Sequence, residues 1–254
     1  MLKRVAGASA PLLVVGLLAA SCIDQSQRMA TCPNPATAGA AVGGATASAA
    51  APVKGCSKGT QPAADGLIDD FEDDDSQLSK VGGRDGYWFG SKDPNGSTLE
   101  PSPLKWSEPG APGSQKSVHI TGKTSSANGA WGSQLGANFL ASGLYDASKY
   151  AGISFKAKIG AGSTSKVRFK VGDVKTHPDG GVCKSCWNHF GKDMTLTTEW
   201  QEFKVSFAEM KQEPGWGDRA PAINPAQLVS INWSIGPGMS FDIWIDDVQF
   251  FDCT

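Results

Sequence analysis

FDIWIDDVQF, Phe241 to Phe250, is the last strand of the chain, and it answers an acidic, apolar segment near the start of the folded part, LIDDFED, Leu67 to Asp73. Together they read as the two ends of one β-sandwich whose first and last strands lie side by side. That arrangement brings the carboxylates of Asp69, Asp70 and Glu72 towards those of Asp246 and Asp247. Carboxylates held close together raise one another's pKa unless a cation joins them. A hard ion such as calcium takes several oxygen ligands, so the pattern predicts a structural calcium at the sandwich rim. The alternative is a pair of solvated strand ends.

Ahead of this domain the chain carries Lys3 and Arg4 and then an apolar run, APLLVVGLLAA from Ala10 to Ala20. The run is too short for a transmembrane helix and reads as a signal peptide over residues 1–21. It ends in Leu18-Ala19-Ala20-Ser21-Cys22, which resembles a bacterial lipobox with Ala19 where Leu is usual. The expectation is a mature chain acylated at Cys22 and anchored to the cell envelope. Ile23 rather than Asp after that cysteine resembles outer-membrane sorting. Residues 22–64 are rich in Ala, Gly, Pro, Ser and Thr, as in AGAAVGGATASAAAP from Ala38 to Pro52, and read as a disordered tether. About 40 such residues reach roughly 35 Å, at about 5–6 Å times the square root of length.

Composition narrows the function. With 23 basic and 25 acidic residues the charge is close to balanced, which gives no electrostatic hold on nucleic acid. Thirty-one glycines and 15 prolines between short β-rich runs point to tight turns and an all-β domain over residues 65–254. Eight tryptophans against three tyrosines is an unusual ratio, and a sandwich of this size does not need all of them inside. With Cys22 lipidated, Cys32, Cys56, Cys183, Cys186 and Cys253 remain, and an oxidising compartment favours pairing. Cys183 and Cys186 are close enough for a local bridge. Cys56 precedes the first strand as Cys253 follows the last, so these two can staple the ends; pairing of Cys32 with Cys56 is the alternative.

Candidate strands are residues 67–71, 86–90, 117–121, 130–138, 152–158, 166–171, 199–207, 228–235 and 241–250. Ile153-Ser154-Phe155-Lys156-Ala157-Lys158 and Val167-Arg168-Phe169-Lys170-Val171 alternate as half-buried strands must. Gly160-Ala161-Gly162-Ser163 between them reads as a hairpin turn. It is not a phosphate loop, because no helix follows.

In this order the pieces LIDDFED, YDASKYAGISF from Tyr145 to Phe155, WQEFKVSF from Trp200 to Phe207, and IWIDDVQF resemble the galactose-binding-like jelly rolls, in particular the carbohydrate-binding modules of family eleven and their relatives. The likeness runs from about Leu67 to Phe250. The same ends also resemble the intermediate-associated family of the respiratory complex, a jelly roll without established sugar binding. The resemblance implies a jelly-roll β-sandwich with a structural calcium held by Glu72 and Asp246, with Asp70 as a further candidate. It also implies a sugar site on the concave sheet or in the loops at one edge, where aromatic rings stack on pyranose faces. Trp88, Trp131, Trp187 and Trp216 lie beside glycine or in loop-like sequence and are the platform candidates. Trp200, Trp233 and Trp244 lie within strands, where the core is the expected place.

His177-Pro178-Asp179-Gly180-Gly181-Val182-Cys183-Lys184-Ser185-Cys186-Trp187-Asn188-His189 packs two of the three histidines around a C-x-x-C. Two thiolates and two imidazoles suit zinc, but export favours a disulfide. The reading is a braced loop that presents Trp187, Asn188 and His189 at the sandwich edge. No H-E-x-x-H helix is present, and no pair of carboxylates is placed for glycosidase chemistry. The sequence therefore predicts a non-catalytic, lipid-anchored module that binds oligosaccharide or polysaccharide by stacking. An envelope scaffold for a protein partner is the alternative, followed by a loop-built polysaccharide hydrolase or lyase.

Overall fold

The computed structural model describes residues 55–254; the signal segment, Cys22, Cys32 and most of the expected tether lie outside the described residues. The described residues form eleven strands joined by turns and short 3-10 segments. They are β1 (Thr60–Asp69), β2 (Trp88–Lys92), β3 (Trp106–Ser107), β4 (Ser117–Lys123), β5 (Ser133–Asn138), β6 (Gly152–Ile159), β7 (Lys166–Asp173), β8 (Phe190–Thr195), β9 (Gln201–Ser206), β10 (Leu228–Ile235) and β11 (Ser240–Cys253). Two antiparallel sheets face each other as a jelly-roll sandwich. One runs β3-β4-β11-β6-β9 with β1 also on β11, and the other runs β2-β5-β10-β7-β8.

The 14-residue β11 organises the first sheet. Its first half, Ser240 to Ile245, pairs with β4, and its second half, Val248 to Cys253, pairs with β1. The two chain ends are therefore neighbours, as the sequence predicts. Between the halves the register skips from Asp246 to Gln249, and Asp247 has φ 49°. This bulge switches the inward parity: Ile243 and Ile245 face the core before it, Val248 and Phe250 after it.

β1 begins at Thr60, inside the stretch read as tether up to residue 64. Thr60, Gln61 and Pro62 pair with Cys253, Asp252 and Phe251, and the Cys56–Cys253 disulfide holds the end in place. A partner strand supplies order that the local composition does not. β8, FGKDMT, also escaped the sequence reading. Its one glycine and three polar residues break the expected alternation, and it is held as an edge strand by β7.

The core between the sheets centres on Trp233, which stacks on Trp88 and meets Phe155 and Phe169 at centroid distances of 5.0 Å. At one end Tyr150, Phe250, Phe139 and Tyr145 form a second ring cluster. Arg84 is buried against it, with its guanidinium donating to the Tyr145 hydroxyl (2.6 Å) and to main-chain carbonyls of Asp65 and Leu67. Trp200 and Trp244, expected inside, stand part-exposed on the outer face of the first sheet, because Phe241, Ile243 and Ile245 take the inward positions of β11.

Candidate functional site

The outer face of the β2-β5-β10-β7-β8 sheet follows from its register. Its middle row is Phe89, Gly136, Asn232, Lys170 and Gly191, one residue from each strand in turn. The row towards the Ile235 end of β10 is Ser91, Gln134, Ser234, Arg168 and Asp193. The row towards the other end holds Asn138, Ser230 and Gly172. The floor is thus mostly polar, with the Phe89 ring over Gly136 and with Asn138, Ser230 and Asn232 themselves buried. Its glycines make room for neighbours: a Cβ on Gly136 would stand 2.5 Å from the Phe89 ring, and one on Gly172 would stand 2.9 Å from Ser230 Oγ and 3.0 Å from His189 Cε1. The sequence carries a signal for this face in Ser230, Asn232 and Ser234, which alternate with Ile231, Trp233 and Ile235, but an alternating strand does not reveal which ligand-bearing loops surround it.

Two exposed rings rim the Gly172 end of that floor. Trp187 is 54% exposed and Trp216 44%. Trp187, at φ 78°, is held by its N–H to the Thr176 carbonyl (2.8 Å) and backed edge-on by His177 and His189. Cys183 and Cys186 form the predicted disulfide beside it, which removes the thiolates a zinc site would need. Asn188 and His189 do not present themselves to solvent; both are buried. Asn188 instead joins the two tryptophan loops, its Nδ2 donating to the Glu213 and Trp216 carbonyls (2.9 and 2.6 Å) and its Oδ1 accepting from Glu213 N (3.0 Å). Asp218 adds two bonds, accepting from Lys184 N and donating its own N–H to the Ser185 carbonyl. His189 Nδ1 lies 3.0 Å from Thr176 Oγ1, and burial holds its imidazole well below the ordinary histidine range, hence neutral.

The other candidates are placed elsewhere. Trp88 is 4% exposed, a core ring whose indole N–H donates to Asp69 Oδ2 (2.6 Å), so it cannot be a platform. Burial pushes Asp69 itself up to about 7, although Phe71 N and Trp88 donate to it. Trp131, 46% exposed, precedes β5 next to the Ile235 end of β10, and therefore lies at the opposite end of the sheet from Trp187. On the first sheet, Trp244 has the His119 ring stacked on it at 3.9 Å and the Lys158 ammonium over it at 4.7 Å, while the same ammonium lies 5.4 Å from the Trp200 ring. His119 and Lys158 reach Trp244 from the flanking strands β4 and β6. Both of its faces are covered, which leaves no flat surface for a ligand. A depression of about 460 Å3 beside it, lined by Glu100, Thr121, Ser163 and Asp242 among others, carries no aromatic wall except the buried Phe241, and its Asp242 is engaged by His119 Nε2 at 2.6 Å.

Of the expected calcium ligands, Glu72 and Asp246 come to one loop, residues 109–116. Glu72 Oε1 accepts from Ser114 Oγ (2.6 Å), Gln115 N (2.7 Å) and Lys116 N (3.0 Å), with the Lys116 N–H foremost in holding its carboxyl below the ordinary range. Asp246 accepts from Ala111 N and Asp247 N, and burial pushes it up to about 6. Asp70 only accepts from Glu72 N and takes no part in this loop's contacts. Ser114 Oγ stands within reach of three acceptors, Glu72 Oε1, the Lys116 carbonyl at 3.2 Å and the Asp246 carboxyl, with one proton to give. Such a surplus of oxygen suits a hard cation. Among the described residues no three His, Cys, Asp or Glu side chains gather as a metal cluster, so main-chain and hydroxyl oxygens would have to complete the shell.

A family model described as Carbohydrate binding domain 30 matches residues 82–252. Among solved structures, the chain is similar to a family 11 carbohydrate-binding module from Clostridium thermocellum in complex with a beta-1,3-1,4-mixed-linked tetrasaccharide. The two share 17% identity over 75% of this chain and 98% of that one, with a TM-score of 0.51, which establishes the shared fold. A family 30 module of a cellulosomal cellulase from the same organism shares 13% identity over 65% of this chain and 91% of its own, at a TM-score of 0.48. No curated protein matches.

Proposed function

This chain belongs to the carbohydrate binding domain 30 family, and from that premise we propose that it is a non-catalytic module that holds a polysaccharide across the outer face of its five-stranded sheet, with Trp187 and Trp216 as the stacking rings. The observation that carries this reading is the pair of exposed indoles fixed by Asn188 at the end of a polar floor. Aromatic faces take the apolar faces of sugar rings, while the part-exposed Gln134 and Ser234 offer donors and acceptors to hydroxyls. Trp131 at the far end extends the span. Eight residues of β10 at about 3.3 Å each give roughly 25 Å, long enough for several sugars.

The test is a binding screen of the mature chain against plant, fungal and bacterial glycans, read by retention and tryptophan fluorescence. Mixed-linkage β-glucan comes first, because the similar family 11 module holds a mixed-linked tetrasaccharide. Silence across all of them would sink the carbohydrate reading and favour a protein-binding scaffold.

Calcium, held by Glu72 and Asp246, would pin the first strand to the last through the 109–116 loop and so act on stability rather than on the ligand. Its charge would supply the counter-ion that the buried Asp246 lacks. We expect a chelator to lower Tm by several degrees in the native chain and to leave Asp246→Asn unmoved, with glycan affinity unchanged at saturating metal. A chelator without effect on the native chain would remove calcium from the account.

The N-terminal part of the reading is a lipid at Cys22 that tethers the module to the envelope, with the outer membrane as its destination. Cys22→Ser should shift the protein from the membrane to the soluble fraction of the cell envelope; unchanged membrane association would refute the anchor.

A further inference from the structure

We propose that the polysaccharide held on the five-stranded sheet is an acidic one, and that Lys170 selects it by pairing with the carboxylate of a uronic acid residue. This rests on the carbohydrate reading above and names the ligand class of the same site.

Lys170 occupies the centre of the floor, between Asn232 on β10 and Gly191 on β8. Its stem lies over Gly191, where a Cβ would come within 3.0 Å of Lys170 Cγ, so the glycine creates the space the lysine fills. The residue is part-exposed, and among the described residues its ammonium makes no hydrogen bond or ion pair. Other cationic centres share the strand face, but they are spoken for. Arg168, two residues along the same face, gives one guanidinium nitrogen to Asp193 (2.9 Å) and another to the Lys211 carbonyl (2.6 Å).

The charged and titratable groups facing Lys170 leave a deficit of acceptors. From β7 there is Arg168, which repels it; from β8, Asp193, already paired with Arg168; from the loop just before β8, the neutral His189; from the segment after β9, Glu213, whose charge is felt without a contact. β10 contributes Asn232 and the serines, which carry no charge. Arg168 Nε, placed 3.3 Å from the same absent Gly191 Cβ, is buried with no acceptor. Donors outnumber acceptors around one glycine. Burial, offset only in part by the charge of Glu213 and reinforced by Arg168, holds the Lys170 ammonium down at about 8.

A ligand that brings a carboxylate to this point replaces an uncompensated charge by a charge-assisted hydrogen bond, which is stronger than any bond to a neutral hydroxyl. The placement also suits a glycan. Gly172, under the His189 ring that backs Trp187, is two residues from Lys170, about 7 Å along the strand. A sugar stacked at the tryptophan end can thus place its own or its neighbour's carboxylate over the lysine.

The experiment compares the mature chain and Lys170→Met on three uronate polymers, alginate, polygalacturonate and glucuronoxylan, on their carboxyl-reduced counterparts, and on neutral mixed-linkage β-glucan. Thermal unfolding verifies that the variant is folded. The native chain should bind a uronate polymer at least tenfold more tightly than its carboxyl-reduced form, and lose that preference in high salt. The preference should hold between about pH 5, where the uronate is ionised, and pH 8, and fade above it as the ammonium loses its proton. Lys170→Met should erase the preference, its affinity for the uronate polymer falling to that for the carboxyl-reduced form. Equal affinity for a polymer and its reduced form, or a preference that survives Lys170→Met, overturns the proposal. Binding to the neutral glucan with none to any uronate polymer overturns this assignment alone, whereas no binding to any polymer overturns the carbohydrate reading with it.

Discussion

Trp187→Ala and Trp216→Ala each weaken glycan binding about 30-fold, and the double variant abolishes it at practical concentrations. The magnitude follows from area. A sugar ring that covers roughly 80 Å2 of indole removes it from water for about 2 kcal/mol, at ~25 cal/mol/Å2, which is about 30-fold in Kd. Neither ring belongs to the core, so Tm should move by no more than a degree or two. Titration calorimetry beside thermal unfolding measures both. Asn188→Ala is the informative companion: the residue is buried and never meets the ligand, yet its three bonds to residues 213 and 216 keep the two rings in one arrangement. It should lose affinity together with stability. Full affinity in both tryptophan variants would move the site off this end of the sheet.

Breaking the Cys56–Cys253 bridge with Cys253→Ser has the largest effect on stability. The bridge spans 197 residues of sequence. Chain-entropy arguments give about 5 kcal/mol for a loop of that length, with measured native disulfides at about 2–5. At about 2–4 °C per kcal/mol for a domain of this size, Tm should fall by roughly 10 °C or more. The loss should begin at β1, whose outer residues Thr60 to Pro62 meet only the β11 terminus. Protection from amide exchange at those positions should disappear before it weakens in β10. The Cys183–Cys186 bridge closes a separation of three residues and constrains far less of the unfolded chain. A variant Cys253→Ser with unchanged Tm would mean that pairing alone holds the ends.

Much of this architecture could be read in advance because its causes are local. The alternation of Ile153 to Lys158 and of Val167 to Val171 follows from a side-chain period of two, and the structure places those residues on the expected faces. The neighbouring ends followed from the closing strand FDIWIDDVQF and its acidic counterpart, while the choice of Cys253 over Cys32 as the partner of Cys56 came from the structure. Glu72 and Asp246, the two residues the resemblance implied, both accept hydrogen bonds from the 109–116 loop. Asp70, ranked behind Glu72 from the resemblance, stays apart from that loop and accepts only from Glu72 N.

The tryptophans show where sequence reasoning stops. Trp88 sits beside glycine in sequence, yet its strand turns it inward onto Trp233; Trp244 sits within a strand, yet its parity turns it outward. A single-residue shift in register exchanges the two faces of a strand, so neighbouring letters cannot decide burial. By itself the sequence determined the all-β class, the acidic ends, the local bridge of Cys183 to Cys186 and a chain rich in rings. Only the tertiary structure decided which rings stay bare, that Asn188 and His189 support Trp187 instead of joining it at the surface, and that Lys170 stands among Asn232, Gly191 and Arg168 without an ion-pair partner among the described residues. Those are relations between strands 20 to 100 residues apart, fixed by which edges pair and which loops are pinned together.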